Sequence, residues 1–290
     1  MNIKTAELPF IGVDIGGSHI TAAHVDCKSY KVIDETMARL RVASMDTAEV
    51  IFDSWIDALS SLIIKQGDQH TRIGIAMPGP FDYEHGISLM KNQQKYDSLY
   101  GLNVREILSE RLGIPGEHII FINDAEAFLR GELASGAASD FEKAIGVTLG
   151  TGLGSTSSCK GDVVDANRAF VPFLDSIAEE YISTRWFLKR YKELSDKEVK
   201  NVEELLSTAE ADIIVQLFDE FATNLASFLN DFIADEKPEV LVIGGNIAKT
   251  WDHFITILQD KIVDKTVVIK QTEMWEDAAL VGAACTWINK

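Results

Sequence analysis

Short apolar runs alternate along the chain with segments whose apolar residues recur at helical spacing. Ile11 to Asp14 is a brief run ending in an acid. Ile15-Gly16-Gly17-Ser18 turns the chain, and HITAAHV, rich in β-branched and small apolar residues, predicts a second strand. Thr47 to Gln66 places Val50, Ile51, Trp55, Leu59, Leu62 and Ile63 on one face of an amphipathic helix. Further strands are predicted over RIGIAMP (which stops at Pro78-Gly79-Pro80), HIIFIN, KAIGVTLG, STSSC, EVLVIGG and TVVIK. Helices are predicted at Val104 to Leu112, from about Ala125, at Leu174 to Tyr191, at Asp212 to Phe232, after Gly244-Gly245-Asn246, and from about Glu276 to the end.

This alternation predicts an α/β protein. The unit of strand, glycine turn and strand occurs twice, over Gly12 to Val25 and Ile145 to Cys159. The repetition suggests a duplication, two similar lobes facing each other across a cleft, although two unrelated tight hairpins would give the same pattern.

Composition narrows the function. The 290 residues, 46% hydrophobic and 25% charged, allow a substantial core in two ordinary domains or one large one. Forty-five acidic residues against 27 basic ones give a formal net charge of −18, which disfavours nucleic acid and anionic membranes but leaves room for a small anionic ligand. Cys27, Cys159 and Cys285 are scattered with no CxxC spacing and are expected to be reduced, buried thiols. The start, MNIKTAELPF, lacks the apolar core of a signal peptide, and Ala278 to Ile288 is too short to span a bilayer, so a cytoplasmic protein is expected.

Four places carry candidate chemistry. In Asp14-Ile15-Gly16-Gly17-Ser18, glycines let backbone amides approach a phosphate, and Asp14 is placed for Mg²⁺; a plain hairpin turn is the alternative. Gly150-Thr151-Gly152-Leu153-Gly154 is a second such loop, or a glycine-relaxed turn in a twisted sheet. Asn123-Asp124 ends a strand, where the aspartate either caps the next helix or accepts a proton from a substrate hydroxyl. Gly244-Gly245-Asn246 either eases strand–helix packing or lets adenine or ribose lie against the backbone.

In order, DIGGS, MPGP, NDAEAFLRGE, GVTLGTGLGS, VIGGN and a final AALVGAA helix resemble the ROK family of sugar kinases and repressors, within the actin, heat-shock chaperone and sugar kinase superfamily. The resemblance runs from about Ile11 to the last helix. It implies a two-lobed, actin-like, ribonuclease H-like ATPase fold with a cleft between duplicated domains: residues 1–120, with the closing helix 276–290 packing back on them, and residues 121–275. It implies ATP and Mg²⁺ as cofactors. Asp14, Gly16, Gly17 and Ser18 then correspond to the first phosphate loop, with Mg²⁺ near Asp14, while Gly150, Thr151, Gly152 and Gly154 correspond to the second. Gly244 and Gly245 correspond to the adenosine motif, Asp124 to the general base acting on a sugar 6-hydroxyl, and Asn123 to a neighbouring sugar contact. Asn92 and Tyr96 occupy the family's N…W segment on the sugar side, and Glu179 opens a match to its ExYxS helix start.

One departure stands out. The stretch Gly161 to Leu174 lacks the family's GEIGH segment and its zinc-binding cysteines, so no zinc site is expected, and Asp165 and Asn167 are the polar residues standing nearest in position. The expected reaction is phosphorylation of a hexose or amino-sugar; the alternative is a non-catalytic sugar or nucleotide sensor on the same fold. A chaperone-like or filament-forming ATPase would call for insertions or an appended peptide-binding domain. No nucleic-acid partner or helix-turn-helix is expected, and a homodimer is in keeping with related proteins.

Overall fold

The computed structural model describes residues 10–63, 71–93 and 95–289, so residues 64–66 of the Thr47–Gln66 helix and most of the N-terminal segment MNIKTAELPF lie outside the described residues. By its contacts the chain divides into two units: one up to Ser135 together with the residues from Glu276 onward, the other Gly136–Trp275.

In the first unit, β1 (Phe10–Ile15) and β2 (His19–Asp26) form an antiparallel hairpin, flanked by the short strands β3 (Lys31–Val32) and β4 (Ala38–Arg41), which both pair with β2. After α1 (Ala48–Ser60), β5 (Ile73–Met77) joins β1 in parallel. A small hairpin, β6 (Phe81–Asp82) with β7 (Ile87–Ser88), leads to α2 (Val104–Leu112). Asn103 caps α2 by accepting from the Glu106 amide (3.1 Å), and Gly113, at φ 67°, ends it in the left-handed conformation glycine tolerates. Next, β8 (Ile119–Asn123) pairs in parallel with β5, and α3 (Asp124–Ser135) follows. The expected boundary at 120/121 is therefore displaced: β8 is the outer strand of the first sheet, so it and α3 belong to the first unit.

The second unit repeats the plan. A hairpin of β9 (Lys143–Leu149) and β10 (Leu153–Cys159) is extended by β11 (Asp162–Asp165). A two-residue-per-strand hairpin follows, β12 (Pro172–Phe173) and β13 (Ser176–Ile177), then α4 (Thr184–Ser195), α5 (Val202–Thr208) and α6 (Ala211–Glu236). The strand β14 (Val240–Gly244) pairs in parallel with β9; a 3₁₀ stretch and α7 (Ile255–Lys261) lead to β15 (Val268–Gln271), parallel to β14. The sheet orders, β3-β2-β1-β5-β8 and β11-β10-β9-β14-β15, are equivalent strand for strand.

The expected helix over Leu174 to Tyr191 begins only at Thr184. Leu174 takes φ 52° in the β12–β13 turn, and Ala178–Glu180 form a 3₁₀ turn. Ala178, Ile182 and Trp186 fall at helical spacing, yet Ala178 and Ile182 reach the core from this irregular path. Conversely α5 was not read from the pattern, although Asn201, which accepts from the Glu204 amide at 2.8 Å, is a recognisable cap. In α6, Leu217, Phe218, Phe221, Leu225, Phe228, Leu229 and Phe232 form one apolar stripe, each burial contributing roughly 1.5–3 kcal/mol.

The last helix, α8 (Glu276–Cys285), packs in the first unit against β1, β5 and α3. Glycines make the approach that close. A Cβ at Gly12 would overlap the Leu280 carbonyl, one at Gly74 that of Ala283, one at Gly131 that of Ala278, and one at Gly282 that of Ala127. Backbone cannot give way as a side chain can. Gly282→Ala is therefore expected to lower folding stability by about 1–3 kcal/mol, read as a shift of the urea unfolding midpoint.

Candidate active site

In the first unit the parallel strands end side by side. Asp14 of β1 is in register with Ala76 of β5, and Met77 of β5 with Asn123 of β8, so Asp14 and Asn123-Asp124 share the carboxyl edge of the sheet, where α/β proteins place ligands. Burial, and then the carboxylates of Asp124 and Glu276, push the Asp14 carboxyl up to about 7, with Arg39 opposing. Glu276, at the start of α8, is ion-paired with Arg39 of β4. A carboxyl crowded by other anions is relieved by a cation. The Asp14 carboxyl thus fits Mg²⁺, which takes one or two carboxylates and completes its shell from phosphate and water. Among the described residues, no group of three or more His, Cys, Asp or Glu is placed to hold a metal by itself.

At Asn123-Asp124 the N-cap position falls to Asn123. Asn123 accepts from the amides of Ala125 (2.9 Å) and Glu126 (3.2 Å), so it caps α3, and its Nδ2 donates to the Tyr83 hydroxyl (3.2 Å). Asp124 is the first residue of α3 and is exposed, its Oδ1 accepting the Ala125 amide at 2.9 Å. Asn123 is 9% exposed and largely committed to the fold. Asn92 is exposed, at φ 60°.

The turn at Gly16–Ser18 is fastened by its carbonyls. The Tyr96 hydroxyl donates to the Gly16 carbonyl and the Ser44 hydroxyl to the Gly17 carbonyl, both at 2.6 Å; the Val42 amide donates to the Ser18 carbonyl at 2.8 Å. The Tyr96 amide in turn donates to the Ser44 carbonyl at 2.6 Å. Among the described residues, the amides of Gly17 and Ser18 have no acceptor within the chain. This leaves an anion nest of two donors held in place. Tyr96 is fully buried, its ring tilted against Trp55 at 5.5 Å, so it lies beneath the turn instead of lining a sugar site; burial pushes its phenol up, keeping it a donor. Neither this role nor that of Ser44 is legible in residue type or spacing, because each bond joins distant positions.

The second turn is built alike within its own unit. The Gly150 amide donates to the Gly152 carbonyl (3.0 Å), and the Thr184 amide to the Gly150 carbonyl (2.8 Å). Glu179 accepts the Leu153 amide at 3.0 Å and pairs with Arg185 at 2.5 Å, and a Cβ at Gly152 would strike its carboxylate. Among the described residues, the Thr151 and Gly152 amides have no acceptor. Gly154 continues into β10 opposite Thr148. Gly244 ends β14, and Gly245, at φ 86°, lies so close to Leu149 that a Cβ would overlap its backbone. Asp165 and Asn167 are tied in a local turn, the Asn167 amide donating to Asp165 at 2.8 Å. A separate hollow of about 670 Å³ in this unit, bordered by Asp175, Tyr181, Trp186, Arg190 and Glu220, touches none of the candidate residues.

Two copies of one sheet plan, each with a glycine turn whose amides are open, define an actin-like ATPase fold of two α/β units. The chain belongs to the ROK family, which residues 10–166 match. It is 23% identical to the glucokinase of Thermotoga maritima, covering 96% of both chains, and 22% identical to an N-acetyl-D-glucosamine kinase of Histophilus somni, covering 97% of this chain and 99% of that one. A ROK family glucokinase from Streptomyces griseus, solved with glucose and AMPPNP, aligns with a TM-score of 0.74 at 22% identity, over 95% of this chain and 98% of that one. Among the described residues no helix is long and apolar enough to cross a membrane.

Two outcomes test this geometry. Tyr96→Phe leaves the Gly16 carbonyl without its buried donor and is expected to lose about 1–3 kcal/mol in urea unfolding. Asp14 ionises less readily folded than unfolded, so the stability linked to it is full below the ordinary value of 3.8 and lost as pH rises through about 7. Metal-free Asp14→Asn should then melt above the wild type at pH values over about 7, the gap narrowing toward 3.8.

Proposed function

We propose that this chain is an ATP-dependent sugar kinase acting on the 6-hydroxyl of a hexose or amino-sugar. The observation that carries the reading is Asp124, an exposed carboxylate on the sheet edge that carries Asp14, with the capping of α3 taken over by Asn123. Asp124 accepts the hydroxyl proton as the sugar oxygen attacks the γ-phosphorus, and the bond from phosphorus to the bridging oxygen of ADP breaks. The amides of Gly17 and Ser18 receive phosphate oxygens, and Gly150, Thr151, Gly152 and Gly154 serve as the second phosphate loop. Gly244 and Gly245 admit the adenosine. Asp14 would hold Mg²⁺, directly or through water, and the ion would supply charge neutralisation at the phosphates. Asn92 and the remaining Asn123 N–H contact the sugar. The resemblance gave Glu179 a sugar contact; its bonds to Leu153 and Arg185 support a second task, shaping the glycine loop. The protein acts in the cytoplasm as a homodimer.

A non-catalytic sugar or nucleotide sensor is the second reading. It draws on the absence of the family's GEIGH segment from Gly161 to Leu174, where Asp165 and Asn167 form a local turn, and on the bonds of Glu179 to Leu153 and Arg185. A panel of hexoses and amino-sugars with ATP, Mg²⁺ and coupled ADP detection separates the two. Sugar-dependent ADP release is expected, and Asp124→Ala should lower turnover ~10²–10⁴-fold while AMPPNP still binds. Near-normal turnover in that variant removes the proposed base; nucleotide binding without release on any sugar favours the sensor.

A further inference from the structure

Cys27 and Cys285, 258 positions apart, meet in the first unit with their Sγ atoms 2.9 Å apart, the Cys285 thiol donating to Cys27. The expectation of isolated, buried thiols is thereby corrected: these two are half-buried neighbours, and Cys159 is exposed. Both members of the pair sit on fixed backbone. Cys27 opens the turn after β2, where Asp26 accepts the Lys28 amide (3.0 Å) and the Ser29 hydroxyl (2.8 Å). Cys285 is the last residue of α8, the helix seated through Gly12, Gly74, Gly131 and Gly282. The sulfurs need to approach by about 0.9 Å, from 2.9 to ~2.0 Å, to bond. Partial exposure admits a small reagent.

We infer that Cys27 and Cys285 are a reversible oxidation site, closed to an intramolecular disulfide by exchange with a low-molecular-weight disulfide of the glutathione type. The Cys27 thiolate attacks one sulfur of the reagent, forming a mixed disulfide and expelling one thiolate. Cys285, losing its proton to solvent, then attacks Cys27 Sγ and expels the second. The protein loses two electrons and two protons, and the reagent becomes two thiols. Neighbouring charges are Asp26 and Lys28 on the Cys27 side. The hydrogen bond to Cys27, and then burial, push the Cys285 thiol up; Cys27, the sulfur that accepts that bond, is the first nucleophile. The bond ties α8, whose first residue Glu276 faces Asp14, to the edge of the sheet.

The whole protein, treated under native conditions with oxidised glutathione and then acid-quenched, denatured and alkylated, reads the outcome directly. Free thiols should fall from three to one, the survivor being Cys159, with a Cys27–Cys285 cross-linked peptide, no retained glutathione, and a melting midpoint raised and then restored by dithiothreitol. Cys27→Ser should give neither the cross-link nor the shift. Three surviving thiols, a lasting glutathione adduct on Cys27 or Cys285, or a cross-link between chains would each overturn the inference.

Discussion

The structure depends first on a turn whose carbonyls are all engaged. At Gly16–Ser18 the acceptors are taken by Tyr96, Ser44 and Val42, so the polar groups remaining are amides. Nothing has to reorganise for such a nest to meet an anion, which is why a short glycine turn can be a phosphate site and not merely a bend. The second turn is held by other chemistry: the Thr184 and Gly150 amides donate to the Gly150 and Gly152 carbonyls, and the Glu179 carboxylate accepts the Leu153 amide.

The second constraint is contact between backbones. Four glycines let α8 settle onto β1, β5 and α3 at distances no side chain allows. That seat brings Glu276 to Asp14 and Cys285 to Cys27. Electrostatics at the site follow: burial first, then two further carboxylates, raise the Asp14 carboxyl against an opposing guanidinium, a setting that a cation would relieve.

Part of the candidate site was legible because it is local. Asp14 and its turn, the Asn123-Asp124 pair and both later glycine motifs are runs of adjacent residues at strand ends, and strand ends are where periodicity changes. Other contributors are not adjacent. Arg39 and Glu276, Gly16 and Tyr96, and Cys27 and Cys285 are joined across the chain. The stretch Leu174 to Ser183 misled for a different reason: its apolar spacing is helical, but Leu174 in a left-handed turn and the pull of Glu179 toward Leu153 hold it open.

The sequence by itself determined the alternation of strand and helix, the twofold repetition of the glycine hairpin and the family to which the chain belongs, since each rests on residue type at short, fixed spacing. Tertiary structure decided that β8 and α3 join the first unit, that Asn123 is the N-cap of α3, that Tyr96 lies under the Gly16–Ser18 turn, and which two of three cysteines meet. The reason is physical: local preference sets backbone conformation within a few residues, whereas who donates to whom across the chain is fixed only when packing brings the elements together.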